Sequence, residues 1–359
     1  TMTILYRYLF IRFLIGLLIS LIVLVSIEIF FSFTAELKYL DKGDYGMITI
    51  LKYIILSTPK SILIMFPYAV LIGAMLSLGA MAADMEFISM HSAGVSITKI
   101  MSIILIQAFL LSSVFYVAAD SVVPKFTSKA EAKKNKALNK KVIYMRNGVW
   151  FKDQNTFIKI NEIYSDKNLK GIIMYKYNDQ NVLLSIKTIN EAFFTNNKWT
   201  LKGIEETFVS ANPVSTKYSY EEITSKFIDK KLINIKTHKS ESLSLNDVMR
   251  NIDYLNSNNL DADVQKKIFW EKIFKPLSTV IMLFLAMPFI FGRHRSSNLS
   301  KRIVLGLFIG ILFFIVSSIL PNLGMVFGIM PFINILFPHI IFIMFGILLL
   351  RHQLDSGLR

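Results

Sequence analysis

Long apolar runs occupy both ends of the chain, and a polar block with a different period separates them. Runs at about 10–33, 61–83 and 100–119 precede the block, and runs at about 273–292, 303–321 and 331–350 follow it. Each approaches the roughly 20 apolar residues that a helix needs to cross a bilayer. Inside the block the pattern changes. Segments near 142–152, 156–164, 170–177, 181–194 and 198–210 are rich in Val, Ile, Tyr, Phe and Thr. Turn residues such as Asn178-Asp179 and Asn196-Asn197 separate them, which predicts short strands. The expected fold is membrane all-α, six transmembrane helices arranged 3+3, with an inserted all-β domain in the form of an open sandwich or roll. The expected boundaries are 1–124 for helices one to three, 125–270 for the β domain with flanking helices, and 271–359 for helices four to six. Because three is odd, the two membrane halves run in inverted orientation.

The first run, Phe10 to Phe33, has Arg7 before it and Arg12 at its start but is too long for a signal peptide and has no small-residue cleavage site. Its eighteen Leu, Ile, Val and Phe residues favour insertion by roughly 5 to 10 kcal/mol, so the run can carry Glu28. Two readings of Glu28 stand here: an interfacial carboxylate reaching water, or a functional group within the membrane. In the second run Ala69, Gly73 and Ser77 put small residues on one helix face, which permits close helix packing. Pro331 to Leu350 buries His339, read as a packed, hydrogen-bonded histidine rather than a relay.

Asp84 to Lys99 is neither a plain loop nor a span. Met85, Phe87, Ile88, Met90 and Val95 are too apolar for solvent, while Glu86, His91 and Ser92 keep it out of the bilayer. A short helix with Met and Phe beside one carboxylate suits a partner's groove, where the acid can meet an arginine. A helix resting on the membrane surface is the alternative. His91 and Ser92 do not form a catalytic pair, because adjacent helical residues point about 100 degrees apart. The third span is expected to continue as a helix past Pro124, bringing Lys129, Lys133, Lys136 and Lys140 onto one stripe. That stripe is either a solvated face or a contact for anionic lipid. Ser244 and Asp247 with Leu245, Val248, Ile252 and Leu255 mark a capped amphipathic helix leading back to the membrane.

Composition narrows the chemistry. The chain is 53% hydrophobic over 359 residues, which makes it a polytopic membrane protein. A net charge of +15 points to anionic partners, and membrane lipid suits so apolar a chain better than nucleic acid. The absence of cysteine excludes disulfides, thiolate metal sites and a cysteine nucleophile. Gly-x-x-x-x-Gly-Lys-Ser/Thr, His-Glu-x-x-His and Gly-x-Ser-x-Gly are all absent, so neither an enzyme, a metal site nor a cofactor is expected. Uphill movement would draw on a partner ATPase, since acids within the spans are too sparse for an ion-driven carrier. Arg293, Arg295, Lys301 and Arg302 place the connection after the fourth span in the cytoplasm. Both termini and the 84–99 connection then lie in the cytoplasm and the β domain outside it.

Four stretches carry a family resemblance: STPKSILIMFP (57–67), ADMEFISMHSAGVS (83–96), GVWFKDQNTF (148–157) and WEKIFKPLSTVIMLFLAMPFIFGRHR (270–295). Together they resemble the LptF/LptG permeases of lipopolysaccharide export, closer to the LptG branch, and the resemblance covers the whole chain. It implies a β-jellyroll-like periplasmic domain and a heterodimer with an LptF-like permease in the inner membrane of a Gram-negative cell. It also implies an LptB-like ATPase dimer as motor, LptC-like and LptA-like periplasmic proteins as recipients, and lipopolysaccharide as cargo. Residues 84–95 match the family's coupling helix, which assigns Glu86, Phe87, Met90, His91, Ser92 and Gly94 to the ATPase contact. Lys38, Lys60, Lys133 and Lys134 match basic positions facing lipid A phosphates. Gly306-x-x-x-Gly310, in the fifth span, matches a gate that opens against the first span of the other subunit. Among the alternatives, a lipoprotein-releasing permease resembles a four-span layout instead. An ion-driven transporter would need membrane acids, and an enzyme a polar cluster at one membrane face.

Overall fold

The structure, a computed structural model, describes residues 2–138, 143–165, 167–211, 213–224, 227–228, 232–233, 243–291 and 299–355. The chain opens with helices α1 (Met2–Leu37), α2 (Met47–Ala83), α3 (Glu86–Ser92) and α4 (Ile97–Ala137). Six strands follow: β1 (Ile143–Asp153), β2 (Thr156–Ser165), β3 (Asn168–Tyr177), β4 (Leu183–Thr195), β5 (Lys198–Phe208) and β6 (Ser215–Thr224). Helices α5 (Leu245–Ser257), α6 (Asp263–Phe291), α7 (Leu299–Val326) and α8 (Pro331–Asp355) complete it. All but α3 and α5 of these helices are long and apolar enough to cross a membrane. The chain forms two compact units: Thr1–Leu40, Met47–Ala130 and Asp263–Arg359 in one, Asp41–Gly46 and Glu131–Ala262 in the other.

The helical unit is built on α1 and α2. A Cβ added to Gly73 would fall 2.5 Å from the Leu17 nitrogen and 2.6 Å from the Gly16 carbonyl carbon, so the two backbones touch where neither has a side chain. The small-residue face expected on the second span is therefore used inside the chain. Around it Leu9, Phe13 and Leu17 pack with Val70, Ala74 and Leu78. Aromatic rings extend this core towards α4, with Phe66 stacked on Phe115 at 3.8 Å. The second helix begins at Met47, well before the apolar run at 61–83, so Lys52 and Lys60 lie on a helix. Pro59 and Pro67 sit inside it, as prolines can in membrane helices whose neighbours cover the freed groups.

Among the described residues the inserted domain forms a six-stranded antiparallel sheet in the order β1-β2-β3-β4-β5-β6. One face carries its core, from Val149, Phe151 and Ile158 to Trp199 and Leu201, with Phe227, Ile228 and Ile233 packed on it. The Trp199 indole donates to the Ile228 carbonyl at 3.0 Å. Simple alternation does not describe this face, because buried residues skip two positions at Ile160/Ile163, Leu169/Ile172, Ile189/Ala192 and Leu201/Ile204. These skips share one line across the sheet. By the register of the flanking pairs, Asn161 faces Gly171, Gly171 faces Asn190, and Asn190 faces Gly203. Gly171 and Gly203 adopt φ of +62° and +64°, the left-handed region that other residues enter at a cost of about 1–2 kcal/mol. The line re-phases four strands together and keeps their apolar side chains on one face.

The expected capped helix is α5. The Ser244 side chain accepts from the Asp247 N–H at 3.2 Å, and Asp247 accepts from the Ser244 N–H at 3.3 Å, a complete capping box. The Tyr254 hydroxyl of α5 accepts from the Lys152 N–H at 2.8 Å, and Asn258 Oδ1 accepts from the Gln154 N–H at 2.8 Å. These bonds fasten the helix to the end of β1, and burial raises the Tyr254 phenol above its ordinary range. β6 was not expected, since nearly every residue on it is exposed and no apolar alternation marks it. Lys140 of the basic stripe and Arg293 and Arg295 of the cationic connection lie outside the described residues.

Candidate functional site

The 84–96 segment folds as a turn, the short helix α3 and a second turn. Met85 takes a left-handed φ of 56°, which bends the chain sharply out of α2, and Gly94 at φ +90° ends the segment before α4. Phe87 turns inward, 6% exposed, with its ring 4.6 Å from that of Phe291. Met90 packs partly against the same core. Met85 and Ile88 point outward instead, 64% and 62% exposed, alongside exposed His91, Ser92 and Gly94. The expected docking set is thus divided by helical phase. Phe87 anchors the helix to its own chain, while the apolar surface offered outward comes from Met85 and Ile88, which the family positions did not include.

Glu86 is also engaged within the chain. Its Oε2 accepts from the Tyr8 hydroxyl at 2.8 Å, and its Oε1 lies 3.6 Å from Arg12 Nη2. Arg12 Nε in turn donates to the Tyr8 hydroxyl at 3.0 Å, closing a ring of three residues between α1 and α3. The Arg12 side chain is half exposed and that of Glu86 about one quarter exposed. A groove of about 240 Å³ runs beside the ring between α1 and α2, lined by Ile15, Gly16, Leu76 and Ala80 and bordered by Asp84.

The four expected phosphate-facing lysines divide between the two units. Lys38 is exposed just after α1, its ammonium 5.0 Å from the Tyr39 ring centroid, and Lys60 is half-buried on α2. Lys133 is exposed on the same helix face as Lys129 and Lys136, whereas Lys134 is half-buried, 6.0 Å from the ring centroid of the fully buried Tyr45. Gly306 and Gly310 face inward. A Cβ on Gly306 would meet Met75 and Ala286, and one on Gly310 would meet Leu71 and Met282. Their close packing is against α2 and α6 of this chain. The outer face of α7 consists of larger residues, including Val304, Phe308, Ile311 and Ile315. The glycines therefore do not supply the surface of α7 that a second subunit would meet.

Some polar groups of the spans pair across helices and others within one helix. Asp120 accepts from Lys272 Nζ at 2.9 Å, and Tyr116 and Thr279 share a hydrogen bond of 3.1 Å. His339 is buried, with Nε2 2.7 Å from Ser278 Oγ and Nδ1 2.6 Å from the Ile335 carbonyl. Ser32 donates to Glu28 Oε1 at 2.8 Å beside an apolar groove of about 410 Å³ lined by Leu24, Ile27, Phe31 and Met65. Among the described residues no cluster of His, Asp and Glu could hold a metal ion.

Residues 7–352 match the family described as lipopolysaccharide export system permease LptF/LptG. The chain is 29% identical over 339 residues to the lipopolysaccharide export system permease protein LptG of Haemophilus influenzae, covering 94% of this chain and 95% of that protein. It is 29% identical over 343 residues to the protein of the same description from Escherichia coli K12, covering 94% of each.

Proposed function

The chain belongs to the LptF/LptG family of lipopolysaccharide export system permeases, and from that premise we propose that it is one permease subunit of an ATP-driven exporter. It takes lipopolysaccharide from the inner membrane and hands it to a periplasmic bridge. The observation that carries this reading is the extent of the match, which runs through all six apolar helices and the inserted sheet together. The other components follow the family pattern: an LptF-like permease as heterodimer partner, an LptB-like ATPase dimer, and LptC-like and LptA-like recipients. Both termini and the 84–96 segment lie on the cytoplasmic side and the sheet is periplasmic, in keeping with the cationic connection at 293–302.

In this reading Met85, Ile88, His91 and Ser92 form the face that meets the ATPase, with Glu86 at its edge and Phe87 holding the helix in place. Lys38 and Lys60 meet lipid phosphates from the helical unit, and Lys133 and Lys134 do so from the other unit. Co-expression with an LptF-like permease and an LptB-like ATPase, followed by purification in mild detergent and reconstitution, tests the proposal. Hydrolysis that responds to lipopolysaccharide is expected, and a chain that purifies without any ATPase refutes it. Glu86→Ala should lower ATPase recovery by about tenfold or more, as loss of a charge-assisted bond does. Lys38→Ala with Lys60→Ala should weaken lipopolysaccharide binding and flatten its salt dependence. Unchanged binding would remove both lysines from the site.

A further inference from the structure

The ring of Tyr8, Arg12 and Glu86 joins the segment assigned to the ATPase to a helix with an unusual property. Of the long apolar helices, α2 contains Pro59 and Pro67, α4 Pro124, α6 Pro276 and Pro288, α7 Pro321 and α8 Pro338. α1 alone has no internal proline; it runs uninterrupted for 36 residues, a length of roughly 54 Å. Sharp kinks in helices arise at prolines, at Gly/Ser pairs, at π-bulges or where a group inserts into the hydrogen-bond ladder. The described α1 is continuous α-helix from Met2 to Leu37, and Lys38 follows directly at its far end.

We propose that Tyr8 and Arg12 are positioning residues that fasten α1 to α3, so that the proline-free helix carries movement of the docking segment to the end that bears Lys38. This rests on the exporter reading above. The chemistry suits a link. The Tyr8 hydroxyl donates to the carboxylate and accepts from the guanidinium, so its single oxygen mediates between acid and base. Arg12 also lies over the Tyr8 ring, its guanidinium carbon 5.3 Å from the centroid. A carboxylate has about four acceptor positions. The ring uses those turned towards α1, and the partly exposed Glu86 keeps others for a partner's cation. One acid thus serves both the partner and α1. The Arg12–Glu86 contact is too exposed to add much stability, so its effect is on orientation.

The test uses the full complex reconstituted in liposomes containing lipopolysaccharide, with Tyr8→Phe, Arg12→Gln, Glu86→Gln and the double variant Tyr8→Phe/Glu86→Gln. Two quantities are read: lipopolysaccharide extracted per ATP hydrolysed, and amide hydrogen exchange across 86–92. Tyr8→Phe should lower the extraction ratio on the order of fivefold, the effect of one lost hydrogen bond, and should speed exchange across 86–92. The double variant should do little more than the worse single variant, because residues acting as one unit are not additive. A normal ratio in Tyr8→Phe and Arg12→Gln overturns the proposal, even if exchange rises, since the ring is then only structural. Additive losses overturn it as well. If the unmodified complex extracts no lipopolysaccharide with ATP, the exporter reading and the coupling both fall; faster exchange in the variants would then still identify the contact between α1 and α3.

Discussion

Glycine serves the helical unit and the sheet for opposite reasons. At the α1–α2 crossing, Gly16 and Gly73 matter because they lack a Cβ, and the nearest atom each would strike is backbone of the facing helix, the Gly73 carbonyl oxygen for Gly16 and the Leu17 nitrogen for Gly73. In the sheet, Gly171 and Gly203 matter because their φ is positive, and the nearest atoms are asparagine side chains across the strand pair. The first kind sets the distance between two helices, because the backbone atoms it meets cannot rotate away. The second sets the phase of a strand, and its cost is torsional. A third kind, Gly306 and Gly310, comes nearest to the ends of Met75 and Leu71 respectively, which can change rotamer. Identical substitutions should therefore have unequal effects.

The largest effect is expected from Gly73→Ala, which must push α1 away from α2. A cost of about 3 kcal/mol, the upper end for overpacking, is expected, read as a lower midpoint for thermal aggregation in detergent. A midpoint matching the unmodified protein would mean that the helices do not touch at this crossing. Gly203→Ala comes next, at about 1–2 kcal/mol for the left-handed conformation, read as faster proteolysis within the sheet of the full chain. Adding Asn190→Ala sharpens the comparison, because it removes the closest steric contacts, Asn190 Nδ2 at 2.5 Å and Cγ at 2.9 Å, and leaves the torsional part with only the Cβ at 3.0 Å still near. Complete rescue by that second change would show that crowding, not φ, makes the position a glycine. Gly310→Ala should cost least, about 1 kcal/mol, the lower end for overpacking, since Leu71 can turn aside. A loss equal to that of Gly73→Ala would show that α7 and α2 are pressed together as tightly as α1 and α2.

How much could be read in advance follows the range of the interaction. The six spans were legible because insertion depends on summed hydropathy within one segment, and the capping box because its two partners are three residues apart. Five strands were legible from their Val, Ile and aromatic content. β6 escaped, since Tyr218 and Tyr220 at 73% and 83% exposure lie on an edge where neither face is buried. The 84–96 segment reads as a short apolar helix beside an acid, yet seven residues, Glu86–Ser92, make too few turns for periodicity to choose its inner face. Burial put Phe87 inside and Met85 and Ile88 outside.

By itself, then, the sequence determined the six membrane helices, the β insertion between the third and fourth, the capped helix and the basic balance of the chain, all properties that sum or repeat over neighbouring residues. Only the tertiary structure decided that Glu86 meets Tyr8 seventy-eight residues away, that Gly73 serves Gly16, and that glycines and asparagines of separate strands form one line across the sheet. Each of these depends on where two distant segments come to lie, and such a meeting leaves no period or local composition for a linear reading to detect.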